Sequence, residues 1–205
     1  MKPEFRTDSV VEAGTARVPG KSDLLDRWAA ASARPKRDVR AALLVDRPRV
    51  AVVTGVGSVA VDDIRAQLRE AEADLVLEVI RVAMTRPAEV ARAVVQATGA
   101  NLVVLTRGGG EGVHSLDNED LIRAVAASPV PVAVAAGHAS DDLVVGRVAD
   151  AAFATPTAFG GWLRGVLDEA RRRARDAELL GPSQVVLDRL RALEAAVARW
   201  RLIGT

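Results

Sequence analysis

The chain has 205 residues, a formal net charge of +1 and 49% hydrophobic residues. This length suits one domain, and this hydrophobic content suits a sizeable buried core. The absence of cysteine excludes disulfides and thiolate metal sites, and the near-neutral charge does not by itself indicate a nucleic-acid partner. No signal peptide and no apolar run long enough for a membrane span are evident, so we expect a cytoplasmic protein.

The predicted elements follow a polar N-terminal tail and a short helix over residues 22–33, after which strands and helices alternate strictly. Runs of β-branched residues indicate strands that are buried on both faces. This alternation predicts an α/β fold with a parallel doubly wound (Rossmann-like) sheet and helices on both faces. Strands are predicted at 49–54, 74–82, 101–106, 130–135 and 151–154, and the intervening helices at 59–72, 87–98, 116–127 and 141–148.

The C-terminal part of the sequence has only helical patterns. Residues 160–179 and 183–203 are predicted as two helices separated by Gly181 and Pro182. Two such amphipathic helices form a hairpin or a coiled-coil appendage, or pair with another chain. We therefore divide the sequence into a flexible tail, an α/β domain and a helical extension, at residues 1–20, 21–158 and 159–205.

Three predicted strands end in loops of unusual composition, and ligands of open parallel sheets bind at the carboxyl ends of the strands. The first loop contains Gly55, Gly57 and Ser58 and leads into a helix with Asp62 and Asp63 in its first turn. Glycines beside a helix N-terminus expose backbone N–H groups that bind an anion. A tight strand-to-helix turn, with the aspartates at the positive helix end, explains the same residues.

The second loop begins with Arg107, Gly108, Gly109 and Gly110. Three consecutive glycines are more than a turn requires, and they allow the backbone to approach a ligand closely. Arg107 adds a bidentate hydrogen-bond donor for a phosphate. This loop is therefore a candidate phosphate-binding site, and a mobile surface loop is the alternative.

The third loop carries His138 and Asp141 directly after a predicted strand. A histidine in this place suits a general acid or base, whereas a structural histidine and a helix-capping aspartate are the alternatives. His138 and an aspartate also suit weak metal binding, but no residue cluster has the ligand spacing of a metal site. His114, near the glycine run, is a weaker candidate.

The C-terminal helical segment carries five closely spaced arginines. A basic helix of this kind follows a phosphate backbone. Acidic residues interleave with the arginines, however, and we favour a solvated helix face. The five are Arg164, Arg171, Arg172, Arg173 and Arg175.

These loops, in this order, resemble the nuclease domain of the exodeoxyribonuclease VII large subunit. That family has a Val-Val-Thr strand, an Arg-Gly-Gly-Gly loop, a Gly-His-Glu-Thr-Asp pattern, and then Val-Ala-Asp and Thr-Pro-Thr-Ala. The resemblance covers about residues 40–165. The corresponding stretches here lie at 52–54, 107–110, 137–141, 148–150 and 155–158.

The resemblance implies a phosphodiesterase that cuts single-stranded DNA into short oligonucleotides. It assigns hydrolysis to Asp63, Arg107, His138 and Asp141. Arg107 and the glycine amides would hold the phosphate and stabilise its developing charge, and His138 would act as general acid or base. The two aspartates would orient His138 or the attacking water, or bind a divalent cation such as Mg²⁺.

The sequence also departs from this family. The family begins with an OB-fold, and the residues before position 40 are too few for one, so we expect a stand-alone domain whose partner protein supplies the DNA grip. Ala139 replaces a family glutamate, and the segment after Gly110 is shorter. A catalytically inactive phosphate-binding, nucleic-acid-binding or assembly module and a nucleotide-binding domain therefore stay open. Residues 160–203 are the expected contact for a second copy or a small subunit.

Overall fold

The computed structural model describes residues 20–107, 116–136 and 143–203. The described part contains one parallel five-stranded sheet with the strand order β2-β1-β3-β4-β5, which confirms the predicted fold class. The β-branched runs of β1, β3 and β4 form its buried centre. The strands are β1 (Arg49–Gly55), β2 (Val76–Val82), β3 (Leu102–Arg107), β4 (Val132–Ala136) and β5 (Ala151–Phe153).

Helices cover both faces of this sheet. One face packs against α3 and α7, and the other packs against α1, α4, α5 and α6. Two short 3₁₀-helices, Ala41–Leu43 and Arg69–Asp74, join these elements. The helices are α1 (Lys21–Arg27), α2 (Ala29–Ala33), α3 (Ala60–Leu68), α4 (Pro87–Gln96), α5 (Glu119–Ala127), α6 (Val144–Val148) and α7 (Pro156–Ile203).

The C-terminal helix α7 differs from the sequence prediction. It is one continuous helix of 48 residues, whereas an interruption was expected at Gly181 and Pro182. A proline inside a helix removes one hydrogen bond and crowds the preceding turn. The segments on both sides are rich in alanine, leucine and arginine, which favour the helix and let it continue past this local cost.

The first turns of α7 belong to the core, and Phe159, Leu163 and Leu167 are fully buried there. Further along, the described side chains of α7 are largely exposed. The division at residue 159 into a domain and an extension stays a prediction. The predicted flexible tail, apart from Gly20, lies outside the described residues, as do Gly108–Gly110, His114, His138, Ala139 and Asp141.

Gly160 sets the distance between α7 and α3. A Cβ atom at this position would lie 2.9 Å from the carbonyl oxygen of Ile64 and 3.0 Å from the Cβ of Gln67. We expect Gly160→Ala to lower the free energy of unfolding by about 1–3 kcal/mol, because α7 must move away from α3. Urea denaturation measures this change.

Gly161 is the matched control, because a Cβ there meets nothing within 4 Å. Gly161→Ala is expected to leave stability unchanged or to raise it by up to about 1 kcal/mol through helix propensity. If Gly160→Ala were as stable as Gly161→Ala, the close approach of the two helices would not be required.

Asp150, in the predicted Val-Ala-Asp motif, fastens the N-terminal segment to the sheet. Its buried carboxylate accepts hydrogen bonds from the backbone N–H of Arg37 (3.1 Å) and of Val132 (2.9 Å). The Arg37 guanidinium donates a hydrogen bond to the Asp150 carboxylate at 2.7 Å, and Arg34 forms an ion pair with it at 3.1 Å. Burial opposes ionisation, but these hydrogen bonds outweigh it and lower the pKa of Asp150 to about 2. Asp150 is therefore a structural residue.

Candidate functional site

A cleft opens at the carboxyl edge of the sheet, over the neighbouring ends of β2, β1 and β3. The chain leaves β1 towards α3 on one face, whereas α5, which follows β3, covers the other face. This divergence makes the crevice in which doubly wound sheets bind ligands. The cleft has a volume of about 440 Å³ and is lined by residues 55–59, residues 82–85 and Arg107.

The loop between β1 and α3 forms one wall of this cleft. Gly57 has a φ of +75°, a conformation that favours glycine. The Ser58 backbone N–H donates to the Gly55 carbonyl at 3.1 Å, and the Ser58 hydroxyl accepts from the Ala60 N–H at 3.2 Å. The loop is thus the tight strand-to-helix turn that the sequence also suggested, and its position beside Arg107 keeps it a candidate phosphate site.

Arg107 is the last residue of β3 and contributes the cationic side chain to the cleft. It is half-buried, and it pairs in register with Ala136, the last residue of β4. The preceding residue, Thr106, is fully buried, and its hydroxyl donates to the Ala135 carbonyl at 2.7 Å. The end of β3 is thereby fixed against β4, which holds the backbone of Arg107 in place.

Asp63 lies in the first turn of α3 and is half-buried. Its backbone N–H donates to the Val59 carbonyl at 3.0 Å, but its side chain does not line the cleft. The structure therefore brings Gly55, Gly57, Ser58 and Arg107 to one cleft and places Asp63 on the adjacent helix.

The described residues that flank segments 108–115 and 137–142 lie on the same part of the fold. Arg107 and Ala136, which precede the two segments, are paired in the sheet, and Leu116 and Leu143, which follow them, are both buried. The Asp117 carboxylate accepts a hydrogen bond from the backbone N–H of Val145 at 3.1 Å, which joins the two stretches of chain that follow these segments. The sequence analysis did not identify Asp117 as important. Its position directly before the N-cap residue of α5 was the one local feature that pointed to it.

Replacing Asp117 with alanine removes this link between the chain before α5 and the first turn of α6. We expect a loss of about 1–2 kcal/mol in the free energy of unfolding, because a backbone donor at a helix start loses a charged acceptor. Asp117→Asn keeps a side-chain oxygen and should retain most of the stability. Urea denaturation of the two variants checks this, and equal losses would show that hydrogen bonding at Asp117 is not the cause.

A second cavity, of about 550 Å³, lies at the opposite edge of the sheet beside α7. Its lining combines Asp46 and Asp74 with Arg47, Arg171 and Arg173, and Arg171 forms an ion pair with Asp74. Among the described residues, the lining of the carboxyl-edge cleft contains no acidic side chain. We favour the carboxyl-edge cleft as the candidate anion site because ligands of doubly wound sheets bind at that edge.

Within residues 20–107, 116–136 and 143–203, no three histidine or acidic side chains form a group that could hold a metal ion. In the same part of the chain, no helix has both the length and the apolar composition needed to cross a membrane.

The fold and its cleft define a parallel α/β protein with a cationic crevice at the carboxyl edge of the sheet. The family model described as exonuclease VII, large subunit, matches residues 37–198, and the chain belongs to this family. The match begins close to the predicted start of the resemblance and continues well into α7, beyond the predicted end near residue 165.

The similar proteins include several exodeoxyribonuclease 7 large subunits. The Corynebacterium glutamicum protein is 31% identical over 159 residues, which are 74% of this chain and 35% of that protein. The Oceanobacillus iheyensis protein is 29% identical over 73% of this chain and 31% of its own length. The Parasynechococcus marenigrum protein is 47% identical over 38% of this chain and 20% of its own length. The chain thus matches about a third or less of each of these relatives.

Proposed function

We propose that this protein is a phosphodiesterase of the exonuclease VII type that hydrolyses single-stranded DNA. The observation that supports this proposal is the cleft in which the β1–α3 loop faces Arg107, in a chain of this family. The Val56 and Ser58 backbone N–H groups already donate to carbonyl oxygens of the fold. A phosphate in the cleft would meet the Arg107 guanidinium, the Gly57 backbone N–H and the Ser58 hydroxyl. Such preorganised donors stabilise the charge that develops on the phosphate during hydrolysis.

The remaining roles rest on the resemblance. We assign His138 as the general acid or base, with Gly108, Gly109 and Gly110 supplying further amides to the phosphate. Asp63 and Asp141 would orient His138 or the attacking water. Their carboxylates suit Mg²⁺ as well, but no step of this proposal depends on a metal.

The test is incubation of the full chain with labelled single-stranded and duplex oligonucleotides, with Mg²⁺ and with EDTA. The proposal expects the single strand to be shortened to short oligonucleotides and the duplex to be spared. His138→Ala is expected to abolish the cleavage. A single strand that stays intact, both with this protein alone and after addition of any protein encoded next to it, would leave the non-catalytic module as the better account.

Assembly with another protein chain is the second candidate function, and the described part of α7 beyond the core supports it. Val186, Leu187, Leu190 and Leu193 are 54%, 47%, 51% and 62% exposed, at helical spacings of one, three and four. Such a stripe is typical of a helix that pairs with another helix. We propose that a second copy or a small subunit covers it.

We also propose a cytoplasmic location, which the absence of cysteine supports.

The oligomeric state of the full chain tests this assembly. Light scattering during size-exclusion chromatography should give a mass above that of one chain, alone or with a small subunit. Leu190→Glu with Leu193→Glu should reduce it to one chain. A monomer in every mixture would contradict the assembly role without affecting the proposed hydrolysis.

A further inference from the structure

The cleft has a second wall that the proposed phosphate contacts do not use. This wall is the β2–α4 connection, residues 82–85, and it faces the Gly55–Ser58 loop. Met84 is buried in this wall, and a Cβ on Gly55 would lie 3.1 Å from its Cγ. The Val56 backbone N–H donates to the Val82 carbonyl at 3.2 Å, so the two walls are joined at their base.

The rim of the cleft exposes apolar side chains. Val56 is 76% exposed and Val59 is 61% exposed, and both belong to the cleft lining. Scattered exposed valines need no explanation, but two in one short loop at the mouth of a cleft form a local apolar surface. The apolar part of a ligand that enters the cleft would cover this surface.

The charges of the cleft indicate the rest of the ligand. Arg107 lines it, no described side chain of the lining is acidic, and the exposed Arg81 donates to the Gly55 carbonyl at 3.4 Å on the same edge. The complementary ligand therefore has an anionic group beside an apolar group.

We propose that this cleft is a nucleoside subsite, in which Val56 and Val59 contact the base of one nucleotide while Arg107 holds its phosphate. This proposal rests on the proposed function, because it uses the same phosphate-binding position at Arg107. A volume of about 440 Å³ lies within the range of roughly 300–1,000 Å³ that is usual for small-molecule sites. The subsite accepts any base, because the valines offer apolar contact without a pattern of hydrogen-bond donors and acceptors.

The experiment compares thymidine monophosphate with deoxyribose 5-phosphate, which lacks the base. Calorimetry in EDTA measures both dissociation constants for the full chain. The wild-type protein is expected to bind thymidine monophosphate about tenfold more tightly, because contact between the base and the two valines removes apolar surface from water. Val56→Ser with Val59→Ser should bring this ratio to within about twofold of unity while deoxyribose 5-phosphate binds as before.

The matched control is Val95→Ser, because Val95 is a comparably exposed valine (54%) on α4 that does not line the cleft. It should keep the tenfold preference. Wild-type protein without a preference, or a double variant that retains it, would overturn the subsite.

Arg107→Ala tests the phosphate contact that the subsite shares with the proposed hydrolysis. It should weaken both ligands by the same factor, because both carry the phosphate. A protein that prefers the ligand with the base but cuts no DNA would support the subsite and contradict the proposed hydrolysis. Normal cleavage by a protein without this preference would contradict the subsite alone.

Discussion

Replacing Arg107 with alanine is expected to lower the rate of single-stranded DNA hydrolysis by about 10²–10³-fold, the usual effect of removing one transition-state donor. Arg107 ends β3, and Thr106 fixes that strand end through its hydrogen bond to Ala135. Because the Arg107 side chain is half-buried in the cleft lining rather than in the core, its loss should leave the fold intact.

Single-turnover cleavage of a labelled oligonucleotide measures this effect. Arg107→Lys keeps the charge but not the bidentate geometry, so its rate should fall between those of wild type and alanine. Arg123→Ala removes an exposed arginine on α5 that does not line the cleft, and controls for the loss of one positive charge. Equal losses of cleavage rate in the Arg107 and Arg123 alanine variants would indicate general charge attraction instead of a specific phosphate-binding position.

Replacing Asp150 with alanine is expected to lower the free energy of unfolding by about 2–4 kcal/mol, because two partly buried arginines and two backbone N–H groups lose their acceptor. The variant loses the acceptor for the Arg37 and Val132 backbone N–H groups as well as the charge that faces Arg34 and Arg37. Asp150→Asn keeps an acceptor and should lose less. Urea denaturation of both variants measures the difference, and a near-wild-type Asp150→Ala would contradict this structural role.

The same carboxylate makes stability depend on pH. The pKa of Asp150 falls from an ordinary value of 3.8 to about 2 in the folded protein. A lowered pKa means that this stabilisation is complete above about pH 4 and is lost as the pH falls towards 2. Melting temperatures between pH 2 and 5 should therefore fall more steeply for wild type than for Asp150→Asn. Parallel curves would show that Asp150 does not titrate with folding.

Much of the fold was predictable, because β-branched runs and glycine-rich strand ends are local signals. The runs at 49–54 and 101–106 became β1 and β3, and the loop at Gly55 and the end at Arg107 came to one edge. The order of the strands was not predictable, since periodicity identifies an element but not its neighbours in the sheet. The β1–β3 crevice and its second wall at residues 82–85 depend on that order.

Long-range polar contacts could not be predicted from the sequence either. Asp150 matched a family motif, but only the folded chain brings Arg34 and Arg37 to it. The bond from Asp117 to Val145 joins segments that are 28 residues apart. The helix across Pro182 was missed for another reason, because the cost of an interior proline is local and the helix-favouring residues on both sides outweigh it.

The central claim is that the phosphate of a DNA strand binds at the carboxyl edge of the sheet. Its most direct test is a crystal structure of the His138→Ala protein with a short thymidine oligonucleotide. The account predicts one backbone phosphate within hydrogen-bond distance of the Arg107 guanidinium and of the Gly57 backbone N–H. An oligonucleotide bound along α7 or in the cavity beside Asp46 and Asp74, with the carboxyl-edge cleft empty, would contradict it.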